Sequence, residues 1–181
     1  MGWKATDLFL EATMVPAFGM PAAASGTRNI FWRGFTAGVG GNGTLWWVWW
    51  DPSTSEWRAG GELTAGTGAP PVYQFTRLAG YYFPEQQTIH IDYIAGDPSG
   101  NIIEIYRDAN GWNTNNLSTN AHDTAQAVDG PSGFALQGLQ QVFFRGTDQH
   151  VHELFWDIQG WHARDLTSIA GGPLCVSAPA A

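Results

Sequence analysis

The chain is short of several things, and each shortage excludes a class of protein. It has one cysteine, Cys175, in 181 residues, so no internal disulfide framework holds it together. It carries 8 Lys and Arg against 16 Asp and Glu, a formal net charge of -8. Nucleic-acid binders need a basic face to meet phosphates, so nucleic acid is excluded as a partner, and attraction to anionic membranes is excluded with it. No apolar run reaches the roughly 18 residues that a membrane-spanning helix needs, so membrane insertion is not expected. The opening Met1-Gly2-Trp3-Lys4-Ala5 lacks the basic-then-apolar order of a signal peptide, which fits a cytoplasmic protein, one released by a non-classical route, or a recombinant fragment. A 3.6-residue hydrophobic period is missing from every segment longer than about ten residues, which argues against helical folds.

What is abundant is aromatic and small: 10 Trp, 10 Phe and 23 Gly. Val142-Phe143-Phe144-Arg145-Gly146 opens a stretch that continues through His150-Val151-His152-Glu153-Leu154 and closes on Gly160-Trp161-His162-Ala163-Arg164-Asp165-Leu166. Two further copies occur. The first runs from Ile30-Phe31-Trp32-Arg33-Gly34 through Thr44 to Trp50 and closes on Trp57 and Glu62-Leu63. The second runs from Tyr81 through Thr88–Ile94, Asn101–Tyr106 and Gly111-Trp112 to Leu117. The closing phrase alone, as Gly2-Trp3 followed by Asp7-Leu8, stands at the N-terminus. In the first copy the spacing from Trp to Leu is one residue longer than in the others.

Trp3, Trp57, Trp112 and Trp161 recur every 49 to 55 residues. Three or four short strands per 50-residue unit, separated by Gly, Pro, Asn and Asp turns, are the signature of β-propeller blades. The expected fold is all-β: one propeller domain over 1–181, with four-stranded antiparallel blades at 22–66, 78–120 and 132–168. Residues 1–10 would be the outer strand of an incomplete blade, and 169–181 a tail or partial strand. Known propellers have four to eight blades, and an open arc would leave sheet faces unpaired. Closure by a second copy of the chain, giving six or seven blades, follows from the preference for closed symmetry; the alternative is a fragment of a longer gene. In the Trp46–Trp50 run, alternation turns Trp47 and Trp49 to one face and Trp46, Val48 and Trp50 to the other.

The phrases Phe144-Arg145-Gly146-Thr147-Asp148, His152-Glu153-Leu154, Gly160-Trp161 and Asp165-Leu166-Thr167 resemble the repeats of β-propeller lectins. The nearer match is to the bacterial Photorhabdus type and the more distant one to the fucose-binding fungal lectins of the Aleuria type. The resemblance covers most of the chain and implies a glycan-binding propeller with pockets between blades, for fucose or O-methylated sugars. In the fucose-binding members an Arg and a Glu of one blade and aromatics of its neighbour hold each sugar. Carried over position by position, the third copy keeps both, as Arg145 and Glu153. The first keeps Arg33 but has Trp47 in the Glu position; the second keeps Glu104 but has an apolar residue, Ile94, in the Arg position. The aromatic candidates are Trp3, Trp57, Trp112 and Trp161.

Elementary chemistry is consistent with such a site. Arg offers a rigid fork of donors, Glu offers acceptors, and Trp offers a flat apolar wall for the C–H face of a ring. The bland reading is that Arg145 and Glu153 form a cross-strand ion pair, that Arg33 and Glu104 are structural, and that most Trp pack blade against blade. His150 and His152, two apart, share a strand face, but no third metal ligand is evident; no metal or other cofactor is expected. A non-catalytic, multivalent lectin is the leading function. A glycoside hydrolase would need two carboxylates in one pocket, whereas carboxylates here recur one per repeat; a protein-interaction propeller using Trp46–Trp50 is the third reading.

Overall fold

The computed structural model describes residues 17–35 and 43–180. Twelve strands form three four-stranded antiparallel sheets, each a simple meander in chain order. Sheet one comprises β1 (Ala17–Ala23), β2 (Asn29–Phe35), β3 (Gly43–Asp51) and β4 (Glu56–Glu62). Sheet two comprises β5 (Ala79–Phe83), β6 (Thr88–Ile94), β7 (Ile102–Asp108) and β8 (Gly111–Asn116). Sheet three comprises β9 (Ala127–Leu136), β10 (Leu139–Gly146), β11 (Val151–Asp157) and β12 (Gly160–Asp165). The sheets stack face to face as an open, propeller-like arc, with β1, β5 and β9 on the inner side, where β5 packs against β1 and β9. The expected outer strand at residues 1–10 and most of the Gly38–Gly43 turn lie outside the described residues.

The inner strands begin earlier than the sequence indicates, at Ala17 and Ala127 instead of near 22 and 132. Both are rich in Ala, Gly and Pro, which conceals a strand pattern. Both are edge strands of their sheets, where a proline need not donate to a ladder. The end of each repeat also differs from expectation. After β4, β8 and β12 the chain makes one helical turn: α1 (Leu63–Thr67), α2 (Leu117–Asn120) and α3 (Leu166–Ala170). Of the residues from 169 on, expected as a tail or partial strand, Ile169 and Ala170 finish α3 and the rest form a tail with no strand among the described residues.

The repeated Asp/Asn/Glu-Leu-Thr/Ser phrase explains these turns. Glu62, Asn116 and Asp165 are N-caps, accepting from the backbone N–H of Ala65, Thr119 and Ser168 at 2.9–3.1 Å, as short polar acceptors do at helix starts. The hydroxyls of Thr64, Ser118 and Thr167 then accept from the N–H of Leu45, Ile102 and Val151 on the third strand of their own sheet. The phrase is a clasp that ties the outer end of each blade to its middle.

Two cores lie between the sheets. Phe31, Leu45 and Trp47 of sheet one meet Ile91, Tyr93, Ile103 and Ile105 of sheet two. Ile94 and Ile102 of sheet two and Leu117 of α2 meet Val142, Phe144 and Leu154 of sheet three. Trp49 joins the first core, whereas Trp46 packs with Trp32, Val48 and Trp57 on the opposite face of sheet one, as the alternation requires. Sheet two is buried on both sides, its Ile89, Ile91, Tyr93, Ile103 and Ile105 against sheet one, with His90, Asp92 and Glu104 interrupting the apolar text of β6 and β7 on the other side.

Candidate functional site

Register places equivalent residues of the three blades. Trp47 pairs with Phe31, Glu104 with Asp92, and Glu153 with Phe143, so Trp47, Glu104 and Glu153 hold one position. Arg33, Ile94 and Arg145 hold another, opposite Leu45, Ile102 and Val151. These positions point toward the next sheet along the arc. The pairs Trp50–Trp57, Arg107–Trp112 and Trp156–Trp161 are likewise equivalent and point back toward the preceding sheet. A junction between blades therefore sets the first group of one sheet against the pair of the next.

At the junction of sheets one and two the space is filled. The Trp47 indole lies 4.9 Å from Trp112, edge on, and beneath the Arg107 guanidinium at 5.5 Å. Trp47 is 5 % exposed, and its N–H finds no hydrogen-bond partner. Room for it comes from a bulge: β3–β4 pairing slips after Trp47, which faces Gly61 while Val48 faces Ala59, leaving Gly60 as the extra residue. A Cβ on Gly60 would run into the Trp47 ring. The residue that lengthens the Trp-to-Leu spacing of the first repeat is thus the one that seats Trp47. Arg33 is buried on the same face.

At the junction of sheets two and three the same position holds Glu104, and a cavity of about 180 Å³ opens. Gln86, His90, Glu104, Tyr106, Asn115 and Gln140 line it, with Trp156 and Trp161 as walls. Glu104 is the floor. His90 Nδ1 lies 2.6 Å from its Oε1, the Gln140 amide donates to the same oxygen, and the Asn115 amide donates to Oε2 at 2.9 Å. Burial raises the Glu104 pKa, but the neighbouring His90 imidazole and these hydrogen bonds outweigh it, and the net shift is downward. An ionised carboxylate only accepts, so His90 Nδ1 carries the proton. The imidazole is fixed by Thr88 Oγ1 at 2.6 Å and lies between the rings of Tyr81 and Tyr106. A carboxylate has about four lone-pair sites; three are taken, and one remains for a donor entering the cavity.

Asp92, paired with Glu104 across β6 and β7, is fully buried, and neither of its oxygens has a hydrogen-bond partner. Burial, and then the Glu104 charge, raise its pKa well above the ordinary carboxylate range against a smaller lowering by the Tyr81 hydroxyl, which favours the protonated form behind the site. The cavity itself presents one carboxylate.

Arg145 and Glu153 are brought to one face of sheet three but not into contact. Glu153 accepts from the Gln141 amide at 2.9 Å and lies 3.7 Å from Arg164; Arg145 reaches Asp129 at 4.0 Å. Phe134, Phe143 and Phe155 share this face, half-buried, and no further sheet covers it among the described residues. Trp161 is on the opposite face, with Glu104. Trp112 meets Trp47, Trp57 packs against Trp50 at 5.7 Å, and Trp3 lies outside the described residues. Sequence reasoning passed over His90, Gln86, Tyr106, Asn115, Gln140 and Trp156. The available signal was the alignment of Trp156–Trp161 with Trp50–Trp57.

Three repeated four-stranded meanders packed face to face define a β-propeller, and comparison with known proteins agrees. A fungal lectin from Aleuria aurantia, described as a six-bladed β-propeller with a novel fucose recognition mode, superimposes with a TM-score of 0.58 at 15% identity, over 84% of this chain and 44% of that one. The chain thus spans less than half the length of that relative. A fucose lectin from Kordia zhangzhouensis in complex with methyl-fucoside gives 0.47 at 17% identity, over 78% of this chain and 94% of that one. A GH43 glycoside hydrolase gives 0.43 at 12% identity, over 81% and 28%. No protein-family model and no curated protein sequence matches the chain.

Proposed function

We propose that the protein is a non-catalytic glycan-binding lectin of the propeller class, taking fucose or an O-methylated relative in the Glu104 cavity. The observation that carries this reading is the cavity itself: one ionised, hydrogen-bonded carboxylate at the floor, amides and a phenol around it, and two indoles as walls. Such a set of a few polar groups among aromatics suits a small ring with one polar and one apolar face. Ile94 in place of Arg leaves the site without a cation, which favours a less polar, methylated sugar. A single accessible carboxylate favours binding over glycoside hydrolysis. The Photorhabdus-type resemblance supports the same reading.

The uncovered face of sheet three supports a second part of the proposal. The back of a sheet one from another copy is equivalent to the surfaces that already cover sheets one and two. Two chains joined head to tail make six blades and bring Trp50 and Trp57 of one copy to Arg145 and Glu153 of the other. The sugar sites then number more than one per assembly, and multivalency strengthens weak single sites.

Glycan-array binding by wild type and Glu104→Gln tests the first part. The expected result is selective retention of fucosylated or O-methylated glycans by wild type and loss in the variant; no retention of any glycan by the wild type, or hydrolysis of a synthetic glycoside, would overturn it. A solution mass equal to one chain would overturn the second part.

A further inference from the structure

Outside the sugar cavity, the top of sheet three gathers a second cluster. Asp148, on the β10–β11 turn, His152 of β11 and Asp165 at the end of β12 each bring a ligand atom within 4.8 Å of the others. We propose that these three residues form a binding site for a divalent transition-metal ion, Zn²⁺ by the nature of its donors.

The comparison of repeats shows what has been added here. Two of the three residues have architectural counterparts. Asp148 Oδ1 accepts the His150 N–H at 3.0 Å, as Asp97 accepts the Ser99 N–H at 2.8 Å in the second repeat, and Asp165 is a helix cap, as Asn116 is. His152 has no such precedent. Its equivalent is Ile103, a core position, and packing alone would favour an apolar residue there. His152 is 7 % exposed, stacks on Phe144 at 5.2 Å, and aims Nε2 at Asp148 Oδ2, 3.1 Å away.

A second, independent feature marks the same spot. Gly146 has no side chain where the donors converge: a Cβ there would lie 2.5 Å from Asp148 Oδ1 and 2.9 Å from His152 Nε2. Any other residue would block the point between them. A cleft of about 570 Å³, lined also by Asp123, Thr124 and Gln126, gives the cluster access from solvent.

The donor set is one imidazole nitrogen and two carboxylate oxygens, which suits zinc and its neighbours more than calcium or magnesium. Ligands about 2.0–2.2 Å from a tetrahedral ion lie about 3.4 Å apart. His152 and Asp148, 3.1 Å apart, already come close to that spacing, and Asp165, within 4.8 Å of both, would need to move by at most about 1.4 Å. The outer shell is also in place: His150 Nδ1 holds Asp165 Oδ2 at 2.7 Å, the kind of support that orients metal-bound carboxylates. Three protein ligands leave the fourth position to water or to a ligand group from the cleft.

The test uses the full chain without a histidine tag, stripped with chelator. Isothermal titration with ZnCl₂ is expected to show one ion per chain, and Co²⁺ to give the visible absorption of a tetrahedral site. His152→Gln and Asp148→Asn should each weaken binding about tenfold or more, with circular dichroism unchanged for the exposed Asp148 variant. His162→Gln, which removes a separate His–Asp pair with Asp157 at 3.1 Å, should leave binding intact. Absence of stoichiometric Zn²⁺ binding overturns the proposal, as does binding that survives Asp148→Asn or is abolished by His162→Gln. If His152→Gln does not fold, the Asp148 variant alone decides.

Discussion

The two junctions of the arc are built on one plan and end as opposites. Between sheets one and two, Trp47 occupies the position facing the next blade, with Gly60 bulged out to admit it, and side chains fill the space. Between sheets two and three, Glu104 occupies that position; His90, Asn115 and Gln140 satisfy it, and a cavity remains. The second arrangement needs three further residues to be tolerable, because an unpaired buried carboxylate is costly. The first needs only a glycine. A repeat can therefore close a site by one large substitution with one inserted glycine, whereas opening one requires a coordinated set of polar partners.

The largest effect that would break this contrast is expected from Trp47→Ala. It should cost about 3–5 kcal/mol by urea denaturation, the range for emptying a buried aromatic position; a cost under about 1 kcal/mol would mean that the junction is not held by this residue. Glu104→Leu should cost about 3 kcal/mol, because His90, Asn115 and Gln140 lose their acceptor together, and should abolish glycan retention. Trp161→Ala against Trp112→Ala sharpens the comparison, since the two are equivalent in the repeat. The first should weaken glycan binding roughly fivefold, an energy of about 1 kcal/mol, while the second should lower stability and leave binding unchanged.

The smallest effect, at a pH below the ordinary carboxylate range, belongs to Asp92→Asn, which mimics the protonated carboxyl and should change stability there by less than about 1 kcal/mol. Its signature is in the pH profile. The folded chain keeps a proton on Asp92 that the unfolded chain releases near the ordinary carboxylate pKa, so the folded state binds more protons above that pH. Wild-type stability should fall as pH rises from the ordinary carboxylate range toward the raised pKa, and the variant should lack this slope. Equilibrium unfolding at a series of pH values checks it.

The repeat, the middle and outer strands and the facing of the Trp46–Trp50 run were legible in the residues, because alternation and turn chemistry are local; the Ala-, Gly- and Pro-rich inner strands β1 and β9 were legible only in part. The clasp helices were not, since four or five residues are too few to show a helical period. The cavity was not legible for a different reason. Glu104 meets Asn115 from 11 residues away but Gln140 from 36, across the gap between two sheets, and linear spacing contains no record of how blades dock. Arg145 and Glu153 stood out because the third repeat keeps both, yet their face awaits a surface that the described residues do not supply. Trp161 of the same repeat lies on the other side of that sheet, as a wall of the Glu104 cavity.

Gly133, on the innermost strand of sheet three, adds a geometric consequence. A methyl group there would come within 2.9 Å of the Tyr81 ring and 3.0 Å of Asp92. The hydrogen atom in its place sets how near sheet three can come to sheet two at the hub. Widening that gap would make the two sheets more nearly parallel and shrink the wedge each blade occupies. More blades would then be needed to complete a turn. One missing carbon near the axis thus helps fix the curvature of the whole arc, and with it how many repeats any closed circle of this protein would count.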